Sequence, residues 1–313
     1  MQTQKAKRIF FALLTIFLWA SAYIAVRYGA SVFSAYAMTF LRYFASALTV
    51  MVLMPFYKVK KPVLRDLPLF LFAALAAYSL YAFLMSIGAK TVTASVSSFI
   101  MAFSPVLTPV FALLFLKEHM NRLRWLAVGI GFLGVLIMLF SDASFSIEGG
   151  VLWVLLSAVL FSLYNIIQRK LLTRYTGFEV TAYSTILGAL TLLPFLPTAV
   201  KEVRVAPISA SLVVVLLGVI SAVAYIFWAM ALKLANHTAE VTNFMFLTPV
   251  LTTVLGFILI QELPPISTFF GGGLMLLALV LTNLEPKKRS VEVNTEVDET
   301  ENVERTEDVT ATI

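Results

Sequence analysis

Residues 104–108 read Ser-Pro-Val-Leu-Thr and residues 248–252 read Thr-Pro-Val-Leu-Thr, and each motif lies within a long apolar stretch. A proline inside a helix removes one backbone hydrogen bond, clashes with the preceding turn and costs about 3 kcal/mol. The two motifs are 144 residues apart (248 − 104), so the chain is predicted to contain two copies of one unit. The same offset aligns three further pairs, which are Tyr81 with Tyr225, Gly129 with Gly273, and Lys117-Glu118 with Gln261-Glu262.

Apolar residues dominate the sequence. The 313 residues are 60% hydrophobic and 13% charged, with a mean hydropathy of +0.92, whereas a soluble domain is about 45–50% apolar and about 25% charged. The apolar residues form blocks of about 17–25 residues, the length that a helix needs to cross a bilayer. We therefore predict an all-α integral membrane protein with ten transmembrane helices, at 9–27, 33–56, 67–88, 92–116, 123–140, 150–168, 179–199, 209–232, 238–260 and 266–284.

The lysines and arginines of the loops predict the orientation. If the N-terminus is cytoplasmic, the cytoplasmic segments hold 17 of the 23 basic residues. The opposite side then holds 4, which are Arg27, Lys90, Lys201 and Arg204. This asymmetry follows the positive-inside rule and places both termini in the cytoplasm. Because five helices per unit is an odd number, the two units cross the membrane in opposite directions, as the inverted-topology repeats of transporters do.

The predicted organisation is a first five-helix repeat over 8–140, a second over 150–284, and a disordered acidic cytoplasmic tail over 285–313. Interrupted helices at matched positions mark the binding region of such transporters, because the freed backbone groups face other protein or a water-filled cavity. Pro105 and Pro249 are therefore candidate helix-break or gating positions. Pro109 adds a second predicted break to the first repeat. The alternative is that these prolines only kink helices for packing.

Further motifs accompany the prolines in a fixed order: Trp19-Ala20-Ser21, Phe-Leu-Arg-Tyr at 40–43, Phe-Ser-Pro-Val-Leu-Thr-Pro at 103–109 with Leu-Lys-Glu at 116–118, and Leu-Thr-Pro-Val-Leu-Thr-Thr at 247–253 with Ile-Gln-Glu at 260–262. With the doubled unit, they give a sequence that resembles the EamA-type ten-helix exporters of the drug/metabolite transporter superfamily over about residues 8–284. The resemblance implies export of amino acids, related metabolites or drugs, by alternating access around a central cavity between the halves.

Arg42 is a candidate substrate-binding residue. It lies nine residues into the second predicted span (42 − 33), which is roughly 14 Å deep at 1.5 Å per residue. An arginine at mid-bilayer costs about 2.5–3.5 kcal/mol, so its side chain is expected to face the protein interior and to have a partner. No Asp or Glu lies at this depth in any predicted span. Arg42 therefore binds a substrate carboxylate or gives the cavity a positive potential. The alternative is a structural arginine, satisfied by backbone carbonyls and hydroxyls.

Polar-tipped aromatic and amide side chains are the other candidates for the cavity. Tyr and Trp offer an apolar body with one hydrogen-bonding group, which suits an amphipathic metabolite. The same residue types also form the aromatic belts at membrane interfaces. The candidates are Trp19, Tyr23, Tyr78, Tyr81, Tyr164, Asn165, Tyr225, Trp228 and Asn243.

Other functional classes find little support. The chain has no cysteine and only two histidines, far apart in sequence, so we predict no metal, no cofactor and no catalytic cluster. The net charge of +6 reflects membrane orientation rather than nucleic-acid binding. The expected partners are a small-molecule substrate and the lipid bilayer of a bacterial or archaeal plasma membrane. The remaining alternatives are a sugar or nucleotide-sugar carrier and a non-transporting membrane scaffold.

The mode of energy coupling is a further expectation. Proton-coupled carriers use an acidic residue or histidine within the membrane as a relay. Here the glutamates lie at span ends or in loops. We therefore expect facilitated diffusion, or coupling through a carboxylate at a helix end such as Glu240.

Overall fold

The computed structural model of the chain describes residues 2–141, 149–260 and 267–283, in which all regular secondary structure is helical and there is no β-strand. The chain up to Asn283 forms one compact unit. The predicted tail at 285–313 and the pair Gln261-Glu262 lie outside the described residues. The α-helices are α1 (Gln2–Val32), α2 (Ala35–Leu53), α3 (Leu67–Ala74), α4 (Leu80–Gly88), α5 (Ala94–Met101), α6 (Ser104–Phe111), α7 (Arg122–Ser141), α8 (Gly149–Leu171), α9 (Gly177–Thr191), α10 (Leu196–Val205), α11 (Ile208–Lys233), α12 (Ala239–Thr242), α13 (Leu247–Ile260) and α14 (Ser267–Asn283).

Side-chain caps fix where several helices begin. The hydroxyls of Ser34, Thr93 and Thr176 accept backbone N–H groups in the first turns of α2, α5 and α9. At α9 the Glu179 carboxylate also accepts the N–H of Thr176, which completes a capping box. Each cap satisfies a donor that has no partner within the helix. The caps therefore fix the first residues of α2, α5 and α9.

Seven helical stretches among the described residues are long and apolar enough to cross a membrane. They are Thr3–Val32, Ala35–Phe56, Leu64–Gly88, Ala94–Leu116, Gly150–Leu171, Ile208–Lys233 and Ala239–Leu259. The pair Gly177–Thr191 and Leu193–Val205 makes an eighth if it is counted as one span bent by 46°. α7 and α14, on the fifth and tenth predicted spans, are not in this set. The described residues therefore form an all-helical fold with seven or eight candidate membrane spans, fewer than the ten that the sequence predicts.

The proline motifs coincide with irregular backbone in both halves. α5 ends at Met101, residues 102–103 form a turn, and Pro105 lies in the first turn of α6. In the second half, a 3-10 segment at Asn243–Phe246 leads into α13, and Pro249 lies in its first turn. A proline is tolerated near a helix start because its missing N–H has no partner there.

Pro109 does not produce the second break that the sequence predicted. It lies inside α6, which continues to Phe111. Its missing N–H would have bonded only to a carbonyl in the first turn, so the helix loses one hydrogen bond and continues. The irregularity comes later, where Ala112–Leu116 is π-helical and ends at Lys117 in the left-handed region (φ 56°).

Helices from the two halves of the chain pack directly against each other. α1 and α2 both pack against α11, and α4 packs against α8. α2 and α11 approach closely at Gly218, where a Cβ atom would lie 2.4 Å from the carbonyl oxygen of Arg42. Ser46 Oγ also donates to the Gly218 carbonyl at 2.6 Å. These contacts place α1, α2, α4, α8 and α11 around a common centre.

Two arginines cap the ends of neighbouring helices in corresponding ways. From α1, Arg27 donates to the carbonyls of Ala89 and Lys90, just after α4. From α8, Arg169 donates to the carbonyls of Leu232, Ala235 and Asn236 at the end of α11. The last carbonyls of a helix have no partner within the helix and attract a cation. Arg27 and Arg169 are 142 residues apart (169 − 27), close to the offset of the proline motifs.

Candidate functional site

A cavity lies where these helices meet, and five of the ten predicted substrate-binding side chains line it. They are Trp19, Tyr23, Arg42, Tyr81 and Tyr225. Six lining residues were not predicted: Ala22, Val26, Met85, Met101, Phe161 and Met245. The cavity volume is about 30 Å³, enough for roughly two or three waters at about 10–15 Å³ each. The cavity is thus too small for a metabolite as it stands, and some of these side chains have to move before one binds.

Equivalent residues of the two halves face this cavity. Tyr81 and Tyr225 are 144 residues apart, and so are Met101 and Met245. Trp19 and Phe161 are 142 residues apart (161 − 19), and their rings meet edge to face at a centroid distance of 5.3 Å. The cavity therefore has matching aromatic and methionine walls from both halves.

Arg42 breaks this correspondence, because the residue 142 positions later is Ser184. Its Nε donates to Ser221 Oγ at 3.0 Å, and its guanidinium carbon lies 5.0 Å from the ring centroid of Tyr43. The side chain is buried. Within the described part of the chain no carboxylate pairs with Arg42, and its two Nη groups have no protein acceptor. The cavity wall thus carries a positive charge held by a hydroxyl and an aromatic face.

A π-helical segment orients the tyrosines of the site. Between α3 and α4 the backbone is π-helical over Leu75–Ser79, a feature that often occurs at functional sites. The carbonyl of Ala77 in this segment accepts hydrogen bonds from Tyr225 Oη at 2.8 Å and from Tyr43 Oη at 3.3 Å. Tyr225 lines the cavity and Tyr43 packs against Arg42, so one carbonyl fixes two groups of the site.

The other five predicted residues do not line the cavity. Tyr78 and Tyr164 share a hydrogen bond between their hydroxyls at 3.1 Å, and Trp228 Nε1 donates to Asn165 Oδ1 at 2.8 Å. Asn243 is buried at the start of the 3-10 segment. The Trp228 ring lies 4.8 Å from that of Trp19, and the Tyr78 ring 4.6 Å from that of Tyr225. Tyr78 and Trp228 therefore lie directly behind the cavity wall, and Tyr164 and Asn165 extend this buried layer through their hydrogen bonds to them.

A cluster of ion pairs closes one end of the helices. Glu240 at the start of α12 accepts hydrogen bonds from Arg8 of α1 and from Arg124 of α7, the latter at 3.2 Å. All three side chains are at least nine-tenths buried. The sequence placed Glu240 at a helix end, but the pairing of residues 232 positions apart could not be read from it. We call this part of the molecule the Glu240 end.

Glu118 adds a second set of contacts at the same end. Its carboxylate accepts hydrogen bonds from the N–H and the hydroxyl of Thr238, both at 2.8 Å, and lies 3.7 Å from Nε of Arg169. These contacts join the chain just after the π-helical segment at Ala112–Leu116 to the start of α12 and to the end of α8. Both halves of the molecule are therefore held together here by buried or partly buried charges.

The cavity extends away from the Glu240 end. On α1, Arg8 precedes Trp19 by eleven residues (19 − 8), which is about 16 Å along a helix, and the lining continues from Trp19 to Val26. On α4 the lining residues Tyr81 and Met85 lead towards the end of the helix that Arg27 caps. The Glu240 end and the cavity thus lie on opposite sides of the indole ring of Trp19.

Comparison with known proteins identifies the family. The EamA-like transporter family matches residues 6–140 and again residues 148–284. A protein of Streptantibioticus cattleyicolor named "Probable terminal-alkyne amino-acid exporter" is 30% identical, over 93% of this chain and 98% of its own length. The transporter YdfC of Bacillus subtilis is 28% identical over 88% and 90% of the two chains. An S-adenosylmethionine uptake transporter of Rickettsia prowazekii is 25% identical over 81% and 84%.

A solved crystal structure shares the fold. Its TM-score is 0.71 at 17% sequence identity, and the similarity covers 89% of this chain and 97% of the other. The relatives are named as transporters, in agreement with the prediction of a non-enzymatic carrier. The described residues hold seven or eight apolar helices of membrane-spanning length, and together with the transporter relatives they show that this is a multi-pass protein of the plasma membrane. The chain belongs to the EamA-like transporter family.

Proposed function

We propose that the protein exports small amphipathic metabolites that carry a carboxylate, with amino acids and their derivatives as the main class. The observation that carries this proposal is Arg42. Its guanidinium borders the cavity, has no carboxylate partner in the described part of the chain, and keeps both Nη groups available. A guanidinium matches the two oxygens of a carboxylate in a planar, bidentate geometry.

The rest of the cavity wall suits the apolar part of such a substrate. Trp19, Phe161 and the tyrosines offer aromatic faces, while Met85, Met101 and Met245 offer flexible thioethers. Methionine adapts to irregular shapes because it is unbranched and polarizable. A small cavity with adaptable walls fits a carrier that accepts side chains of different sizes. The names of two relatives, one with an amino acid and one with S-adenosylmethionine, agree with this class.

We further propose the ten-helix inverted repeat, with boundaries at 8–140 and 150–284 and both termini in the cytoplasm. Three observations support it. The family matches the chain twice, over 6–140 and 148–284. The cavity has walls of equivalent residues 142 or 144 positions apart. Arg27 and Arg169 cap the helices α4 and α11 in corresponding ways. In this arrangement the Glu240 end is cytoplasmic and the cavity lies on the outer side of it.

A competition assay tests the substrate class. The full-length protein is reconstituted in vesicles, and uptake of one labelled amino acid is measured against unlabelled amino acids, their amides, nucleosides, sugars and cationic drugs. We expect amino acids to compete about tenfold better than the matching amides, because the amide lacks the charge that Arg42 binds. Equal competition by the amides, or competition by sugars alone, contradicts the proposal.

A further inference from the structure

A stripe of polar side chains leads along α8 from the cavity to the Glu240 end. Phe161 lines the cavity, and Tyr164, Asn165 and Gln168 follow at intervals of three, four and seven residues, which places all four on one face of the helix. The next residue is Arg169, which contacts Glu118. We call Tyr164, Asn165 and Gln168 the α8 stripe. All three are fully buried.

The α8 stripe is incompletely satisfied. Asn165 accepts from Trp228 through Oδ1, but its Nδ2 has no hydrogen-bond partner among the described residues. Gln168 donates to the Tyr164 hydroxyl, but its Oε1 has no partner there either. Buried polar atoms are nearly always hydrogen-bonded, so each exception calls for an explanation. Two half-satisfied amides on adjacent turns of one helix face are not what a merely structural packing surface requires.

The neighbouring helix α6 brings a third such atom to the same region. α6 and α8 run in the same direction, because Ser104 Oγ lies 2.9 Å from Ser162 Oγ at one level and Glu118 meets Arg169 at the far end. Thr108 follows Ser104 by one turn and therefore lies on the face of α6 that turns to α8. Its buried hydroxyl oxygen has no hydrogen-bond partner among the described residues.

We propose that the α8 stripe and Thr108 form the second half of the transport path, shown here in its closed form. The inference rests on the proposed alternating-access export. When the ion pairs of Glu240 and Glu118 separate, the unpartnered amide and hydroxyl groups become hydrated. They then bind the polar groups of the passing substrate. Their hydrogen-bonding capacity is then used in the open form and left unused in the closed form.

The Glu240 cluster is the contact that has to separate for this path to open. The cluster joins α1, α7 and α12 through buried charges, and Glu118, which follows α6 and its π-helical extension, contacts Arg169 of α8. The stripe ends at these contacts, since Arg169 follows Gln168 directly. Weakening the cluster is therefore expected to expose the α8 stripe from this end.

Thiol labelling tests the proposal cleanly, because the native chain contains no cysteine. Asn165→Cys is made in the full-length protein in vesicles, and a membrane-impermeant thiol reagent is added on the side from which Thr173→Cys reacts. We expect Asn165→Cys to react, and to react about tenfold faster when Glu240→Gln is added and the open population rises. Labelling requires no substrate, so it is independent of the proposed substrate class, which uptake measurements test separately.

Matched controls make the outcome decisive. Leu163→Cys lies about 200° around α8 from Phe161, at two residues of about 100° each, and should stay unreactive in both backgrounds. Glu202→Gln removes a carboxylate that accepts the N–H of Ser34 away from the cluster, and should not change the rate. Where Asn165→Cys is not recovered folded, Gln168→Cys carries the same test. Failure of the stripe cysteine to react with Glu240→Gln present, or equal reaction at Leu163→Cys, overturns the proposal.

Discussion

The guanidinium of Arg42 donates from Nε to the hydroxyl of Ser221 at 3.0 Å, and this bond joins α2 of the first half to α11 of the second. Ser221 in turn donates to the carbonyl of Leu217 at 2.7 Å, so its oxygen has a fixed direction. The ring of Tyr43 supports the guanidinium from one side. The direction of the Arg42 guanidinium is therefore set by residues of both halves.

Ser221→Ala is expected to weaken the binding of carboxylated substrates. The substitution leaves Nε of Arg42 without its acceptor, so the guanidinium is no longer held in the direction of the cavity. We expect the KM for an amino acid to rise about fivefold, equivalent to about 1 kcal/mol, with little change in the maximal rate. Ser31→Ala is the control, since the Ser31 hydroxyl also donates to a backbone carbonyl but is exposed at the end of α1 and does not line the cavity. An unchanged KM in Ser221→Ala argues against a positioning role.

Glu240→Gln is expected to lower the stability of the protein in detergent. Removal of one partner from a buried ion pair leaves the other charges uncompensated and costs about 3–5 kcal/mol. Arg8 and Arg124 both face this carboxylate. Thermal unfolding of the purified protein should therefore begin at a clearly lower temperature than in Glu202→Gln. If the two variants unfold at the same temperature, the Glu240 cluster is not a closing contact.

The paired prolines are expected to matter for transport more than for insertion. Replacing Pro105 and Pro249 by alanine removes the rings that disfavour helical backbone before them, so the turn at 102–103 and the 3-10 segment are expected to become more regularly helical. Uptake should slow in each variant and most in the double variant, while the amount of protein in the membrane stays similar. Pro207→Ala, just before α11, is the matched control. Full uptake by the double variant leaves packing as the role of these prolines.

Single cysteines test the proposed orientation. Thr173 is exposed between α8 and α9, and Thr91 is exposed between α4 and α5. The inverted repeat places the first in the cytoplasm and the second outside. Thr91→Cys should react with an impermeant thiol reagent in intact cells, and Thr173→Cys only after lysis. The reverse pattern contradicts the orientation derived from the loop charges.

Local patterns in the sequence predicted the helical membrane class and much of the cavity wall. The 144-residue offset pairs Tyr81 with Tyr225, and both line the cavity. The depth of Arg42 and the absence of an acidic residue near it indicated an inward position, and the side chain is buried. Such predictions depend on periodicity and on the cost of placing a charge in lipid, which a single sequence contains.

Contacts across large sequence separations could not be predicted. Ser221 is one of many hydroxyl residues, and nothing in the sequence marks it as the partner of Arg42. The π-helical turn at Leu75–Ser79 contains neither proline nor glycine, so no local signal indicates it. The sequence shows Pro194, a residue that often bends or ends a helix, yet the predicted span 179–199 runs through it. The structure bends there.

The relative uptake of an amino acid and its amide by Arg42→Gln vesicles, normalised to the amount of protein, tests the central claim most directly. If Arg42 binds the substrate carboxylate, the preference of the native protein for the amino acid falls about tenfold in Arg42→Gln. Arg42→Lys, which keeps the charge but loses the planar fork, should be intermediate. If the ratio is the same in Arg42→Gln and in the native protein, Arg42 does not bind the carboxylate, and the proposed basis of substrate recognition is wrong.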